Sequence, residues 1–211
     1  MRKIKWLMTG LAFVSVTATA QSANFDGVHL GLGVAVIQPT VRYTDADGSL
    51  LKWEKTTAMP EIDLSYHKAL NNKFLLGIGI NANFGKRLDL GTESEDYGRV
   101  SAWMSRHYSI YIQPTYVLNN STAAFAKLAY HSARVNAVGQ PGADWIPDRF
   151  RAHGIGYSLG AVKNIDKNFY IQGELQYVKY SDRNFVNEYD FHWKFNQRTV
   201  GAIFSVGYKF Q

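Results

Sequence analysis

The sequence predicts an all-β chain, an eight-stranded antiparallel up-and-down barrel, and three observations predict it. Apolar and polar residues alternate with period 2 from about residue 27 to the end, whereas nothing after residue 20 repeats with the 3.6 period of a helix. The connections between the alternating stretches are by turns short and long. There is no Cys to staple a small scaffold, so the fold must be closed by pairing.

Taken in order, the chain opens on Arg2, Lys3 and Lys5, then an apolar run from Trp6 to Val16, then small residues ending Ala18-Thr19-Ala20. That is the pattern of a secretory signal peptide, with a cationic start, an apolar middle and a small-residue cleavage site. Cleavage is expected after Ala20, with Ala23 as a second site, dividing the chain into 1–20, signal peptide, and 21–211, barrel domain. Loss of three of the 23 Lys and Arg leaves 20 against 17 acidic residues, so the net charge of +6 falls to about +3 and a nucleic-acid partner loses its basis. Absent Cys also excludes thiol catalysis and Cys-ligated zinc. No later stretch offers the roughly 20 apolar residues of a membrane helix.

Strands are expected at about 27–37, 57–67, 73–84, 106–118, 122–132, 152–162, 169–180 and 199–210. Each approaches the roughly 9 to 11 residues with which a tilted strand crosses a bilayer. Short turns are expected at 68–72, 119–121 and 163–168, rich in Asn, Asp and Lys, and long loops at 38–56, 85–105, 133–151 and 181–198. Short turns on one side and long loops on the other are the connections of a transmembrane barrel, and an even strand count returns both termini to the periplasmic side.

The last strand shows the two faces most clearly. Val200, Ala202, Phe204, Val206, Tyr208 and Phe210 share one, while Thr199, Gly201, Ser205, Gly207 and Lys209 share the other. A lipocalin-like soluble barrel would turn the apolar stripe inward around a cavity. Two features favour lipid outside. Aromatics gather near strand ends, at Tyr66, Phe74, Phe84, Tyr116, Phe169, Tyr177 and Phe210, as interfacial girdles do. The opposite face carries Glu61, Asp63, Gln113, Lys127, Gln172, Glu174 and Gln176, too polar to line an apolar cavity. Just upstream, Phe191, Trp193 and Phe195 alternate on odd numbers, out of phase with the even-numbered apolar set. A bulge or strand start is therefore expected between Asn196 and Thr199.

The segments Phe125 to Tyr130 (FAKLAY), Gly154 to Gly160 (GIGYSLG), Asn168 to Tyr177 (NFYIQGELQY) and Phe204 to Phe210 (FSVGYKF) carry a further likeness. With them, and with the Gly27 to Gly33 opening, the chain resembles the opacity-protein-like outer-membrane β-barrels, whose membrane domain is similar to that of OmpA. The resemblance implies export and insertion into the bacterial outer membrane. Ser205, Gly207, Tyr208 and Phe210 resemble the terminal signal read by the outer-membrane insertion machinery, although Gln211 follows the aromatic residue that usually ends it. Known members include adhesins and proteins of unassigned role, so the likeness alone chooses no function.

Candidate chemistry is sparse. His131-Ser132 is the one adjacent His and Ser pair, but neighbours on a strand point to opposite faces, so His131 cannot activate Ser132. His29, His67, His107, His153 and His192 show no metal-ligand spacing. Glu93, Glu95 and Asp96 read as a solvated loop tip rather than a divalent-ion site, and Gly31 with Gly33 and Gly77 with Gly79 as small strand residues rather than phosphate loops. Each long loop holds one Trp, namely Trp53, Trp103, Trp145 and Trp193, suited to an outer girdle or to recognition. Inside, Lys127 and Glu174 are expected to meet across the small-residue wall of Ala152, Gly154, Gly156, Ser158 and Gly160. Gln172, Gln176, Glu61 and Asp63 are expected to join them, with Asp63 the alternative partner, because buried charge persists only when paired.

The function expected is a structural scaffold, not an enzyme and without cofactor or metal, displaying four loops to a host or envelope ligand. It would sit as a monomer among outer-membrane lipid and lipopolysaccharide. A narrow channel for small polar solutes is the alternative, and a lipid-modifying barrel enzyme the third reading.

Overall fold

The computed structural model describes residues 21–44, 50–84, 88–95, 98–139, 149–186 and 192–210. Residues 1–20, the expected signal peptide, and Gln211 lie outside them. A 3-10 turn, Ser22–Phe25, precedes eleven strands: β1 (Gly27–Thr44), β2 (Leu50–Glu54), β3 (Thr57–Ala69), β4 (Phe74–Asn83), β5 (Leu88–Glu95), β6 (Gly98–Asn119), β7 (Thr122–Gly139), β8 (Arg149–Asn164), β9 (Phe169–Tyr180), β10 (Arg183–Val186) and β11 (His192–Phe210). They make eight walls. β2 continues β3 along β1, β5 continues β4 along β6, and β10 continues β9 along β11. Every pairing is antiparallel, and β11 returns to β1 in unbroken register from Val28 opposite Phe210 to Thr44 opposite Lys194. Closure leaves no edge, which lets a strand protein sit in hydrocarbon with its backbone satisfied.

The short turns fall at residues 70–73, 120–121 and 165–168. Side-chain carbonyl or carboxylate oxygens hold them: Asn71 Oδ1 accepts from the Lys73 and Phe74 amides, Asn119 Oδ1 from Ser121, and Asp166 Oδ1 from Asn168 and Phe169 at 2.7 Å each. At the other end the structure departs from the expected loops. Much of 38–56, 85–105, 133–151 and 181–198 is strand, because the hairpin arms keep pairing past the membrane band. There the outer face is polar, so the alternation that marks a strand fades while the backbone still needs partners.

The bulge is also elsewhere than expected. β11 keeps one parity throughout, with Phe195, Gln197, Thr199, Ile203 and Lys209 buried and Val200, Phe204 and Val206 exposed. On the β1 side β11 runs unbroken through 196–199, with Phe195 pointing into the barrel, edge-on to Phe150 at 5.5 Å. On the other side β9 gives way to β10 opposite Asn196 and Gln197, and the extra residue lies on that neighbouring strand rather than on β11. The phase change lies in β6 instead, where pairing with β7 skips between Ser105 and Tyr108 and Arg106 adopts φ 51°. Before it Ala102 and Met104 point inward; after it His107, Ser109 and Tyr111 do.

The outer wall carries a belt of exposed Leu, Ile, Val and Phe, including Leu32, Ile78, Ile112, Leu159 and Phe204. All seven aromatics expected in the girdles are exposed, and Phe74 packs edge-on against Tyr116, as Phe169 does against Tyr208. The interior is layered rather than uniformly polar. Toward the long hairpins it holds Ile37, Val41, Met59, Leu88, Leu90, Met104, Val135, Val178 and Phe195. Toward the short turns it holds Phe25, Leu75, Val117, Phe125, Val162 and Tyr170. The polar and charged side chains lie between.

The Ser22–Phe25 turn stoppers the short-turn end. The Ser22 amide donates to Asn72 O (3.1 Å), Asn24 Nδ2 to Asn120 O (3.0 Å) and Asn164 Nδ2 to Asn24 O (3.0 Å), while Lys209 Nζ also donates to Asn24 O. Phe25 is fully buried beneath it.

Candidate functional site: a buried charge layer

The middle layer is built by inward positions of β3, β4, β6, β7 and β9. Lys127 Nζ lies 2.7 Å from Glu174 Oε2 and 3.9 Å from Asp63 Oδ2, so both expected partners share one ammonium. Tyr111 donates its hydroxyl to Asp63 at 2.7 Å, and the ammonium stands 4.4 Å from the Tyr111 ring centroid. Gln172 Nε2 donates to Glu174 Oε2 at 3.4 Å. Gln176 is buried nearby, lining a lumen cavity of about 10 Å³ with Ile37, Met59, His107 and Tyr180. That is room for one water at most.

The wall of β8 is as thin as its sequence, but rings from β7 cover it. A Cβ at Gly156 would collide with the His131 ring, and one at Gly160 with the Phe125 ring. Lys127, opposite Ser158, therefore reaches Glu174 between two rings rather than over an empty gap.

A second chain of polar groups escaped the sequence. Asn83 Nδ2 donates to Glu61 Oε2 (3.2 Å), Asn83 Oδ1 meets His107 Nδ1 (2.5 Å), and His107 Nε2 meets His131 Nδ1 (3.0 Å). Because Asn83 gives its amide hydrogen to Glu61, its oxygen accepts from His107, which then accepts from His131. The His29 and His67 rings lie 4.6 Å apart, tilted by 37°, near Tyr170. Single-strand spacing hid both histidine pairs, since each forms between strands. Among the described residues no three His, Asp or Glu are placed to hold a metal ion.

The remaining expected residues are dispersed. His131 is engaged with His107, while Ser132, on the opposite face, stands across from His153 with no hydrogen bond between them among the described contacts. Trp103 is half-buried on β6, between Asp89 and Asn136 in register. Trp53 pairs by backbone with Val41 and Trp193 with Phe185, but their side chains, like those of Glu93 and Glu95, and the whole of Trp145 and Asp96, lie outside what is described. At the end of β11, Ser205 and Gly207 lie on the inner face, and Tyr208 and Phe210 outside with ring centroids 4.9 Å apart.

Solved structures with a similar fold include the outer membrane protein OprG of Pseudomonas aeruginosa, at 12% identity and a TM-score of 0.53 over 88% of this chain and 97% of that one. The attachment invasion locus protein Ail of Yersinia pestis aligns at 17% identity and a TM-score of 0.48, over 88% and 99%. The outer membrane protease OmpT of Escherichia coli aligns at 8% and 0.46, over 88% and 97%. At these identities the likeness is one of fold. No curated protein sequence matches significantly. The model of the outer membrane protein beta-barrel domain matches residues 7–210, and with its closed eight-walled barrel and lipid-facing belt the chain belongs to that family of bacterial outer-membrane proteins.

Proposed function

We propose that this protein is a closed, non-enzymatic scaffold that holds four long hairpins outside the cell, with both termini and the short turns in the periplasm, for contact with an envelope or host ligand. One observation carries the reading: among the described residues the lumen is packed in three layers, apolar, charged and apolar, and the lumen cavity beside Gln176 measures about 10 Å³. A barrel of about eight strands is only wide enough for side chains to fill. Against the channel reading stand the apolar side chains that, among the described residues, pack on both sides of the charges. The enzyme reading is disfavoured because the hydroxyl that does meet a base, Ser65 Oγ at 3.1 Å from His67 Nε2, is buried inside the packed lumen, and Ser132 makes no hydrogen bond with His131 or His153 among the described contacts. Planar-bilayer recording on the refolded full chain tests it. The scaffold gives no steady conductance, and a steady wild-type current would replace it with the channel.

A further inference from the structure

Four arginines gather on the outer wall at the long-hairpin end. Arg134 on β7 stands directly opposite Arg151 on β8, and the next outward pair is Asn136 with Arg149. Arg106 occupies the β6 bulge beside Ser105, which pairs with Arg134. Arg106, Arg149 and Arg151 are exposed and Arg134 half-buried. Like charges directly opposite on a sheet repel. The guanidinium of Arg106, then partial burial, then Arg149 and Arg151 hold the Arg134 pKa below the usual arginine range. Among the described residues none of the four has an ion-pair partner. Such a row is at odds with itself unless an anion sits on it.

Its height says which anion. On β6 the exposed apolar side chains run from Leu118 to Tyr108, and the next outward position is Arg106. Ten residues at about 3.3 Å each, tilted by about 40°, climb about 25 Å, one apolar belt. The arginines therefore stand at the level of lipid headgroups. Directly below them is a groove of about 450 Å³ whose lining includes Tyr130, His153, Ile155, Tyr157, Tyr177 and Lys179. Its walls are apolar, open toward lipid, with one lysine at the side. His153 Nδ1 is buried there without a hydrogen-bond partner.

We propose that the row and the groove form one binding site for a phosphorylated lipid, its phosphate held by Arg134 and Arg151 with Arg106 and Arg149 flanking, and an acyl chain lying in the groove. Guanidinium forks match phosphate oxygens two at a time, and the anion removes the repulsion among the four cations. The leaflet rests on the orientation proposed above, which makes it the outer one; the site itself does not.

The test incubates the refolded full chain with diphosphoryl lipid A or its dephosphorylated form and counts bound lipid by native mass spectrometry. The diphosphoryl form should be retained about tenfold better, and Arg134→Gln with Arg151→Gln should lose about tenfold, as charge-assisted contacts of this kind imply. Lys163→Gln with Lys167→Gln, at the far end of the barrel, should change nothing. Heat-modifiable gel migration checks folding. If the first pair does not fold, Arg106→Gln with Arg149→Gln carries the same expectation. Equal retention of the dephosphorylated lipid, or undiminished binding by folded arginine variants, would overturn the site. So would a sulfated polysaccharide that needs these arginines while lipid retention does not. Orientation is read separately, by impermeant maleimide on intact cells bearing Asn184→Cys or Asn120→Cys. Labelling at 184 places the site in the outer leaflet. Labelling at 120 overturns the leaflet, and the retention measurement still decides the site.

Discussion

Without the Lys127 ammonium, Glu174 and Asp63 would face each other inside the barrel with no cation between them. Lys127→Ala should therefore cost about 3 to 5 kcal/mol, the usual price of orphaning buried charge. Glu174→Ala should cost less, because Asp63 remains 3.9 Å from the ammonium, and the double variant should fall well short of the sum. Urea unfolding in lipid vesicles measures all three, and additive losses would mean the charges do not interact. On the outer face Phe204→Arg should cost about 2 to 4 kcal/mol, whereas Ser205→Asn, on the polar side, should cost less; the reverse order would mean the faces are exchanged. The Lys127 to Glu174 contact could be anticipated because both residues lie about six positions from a short turn on unbroken strands, so counting fixes their height. The His107 to His131 contact could not. It depends on the bulge at Arg106, and arginine carries no signal for a positive φ.

At the scale of elements, that bulge decides which β6 side chains enter the barrel. Arg106→Val, a β-branched residue in a left-handed conformation, should destabilise by about 1 kcal/mol or more, while Arg106→Gly should not. The same vesicle assay separates them, and equal losses would assign the effect to the arginine charge. The turn between β8 and β9 offers a pH test. Hydrogen bonds from the Phe169 amide, then the Asn168 amide, hold the Asp166 carboxyl below its ordinary value of 3.8. A depressed native pKa stabilises the fold above the unfolded value and is lost as pH falls through the native one. Wild type should thus exceed Asp166→Ala at pH 6, and the difference should shrink below about pH 4; a difference independent of pH would mean the charge is not involved. Strand cores and turns could be read because lipid enforces strict alternation and turns need Asn or Asp. The arms beyond the belt could not, since water accepts either face, and Phe191, Trp193 and Phe195 suggested a break that the inward Phe195 does not require.

At the scale of the molecule, the layered interior was hidden because sequence parity says only that a side chain points inward, not what shares its level. Ile37, Met59, Leu88 and Phe195 come from four strands and meet only in the closed barrel. The stopper at Ser22–Phe25 brings time into the account. Its partners are the turn before β4, the turn after β6, the end of β8, and Lys209 on the last strand, so it can seat only after the whole chain has been threaded and closed. Residues 21–25 should then be the last to come to rest and the first to let go. A contact absent from the transition state slows departure without hastening arrival. Deleting residues 21–25 should speed unfolding in vesicles and leave the refolding rate unchanged, whereas slowed refolding would place the stopper among the early events. Cleavage of the expected leader after Ala20 would preserve Ser22 and its bond to Asn72, and cleavage after Ala23 would remove both. A choice between two bonds in that leader would thereby be a choice between two lifetimes for the protein in its membrane.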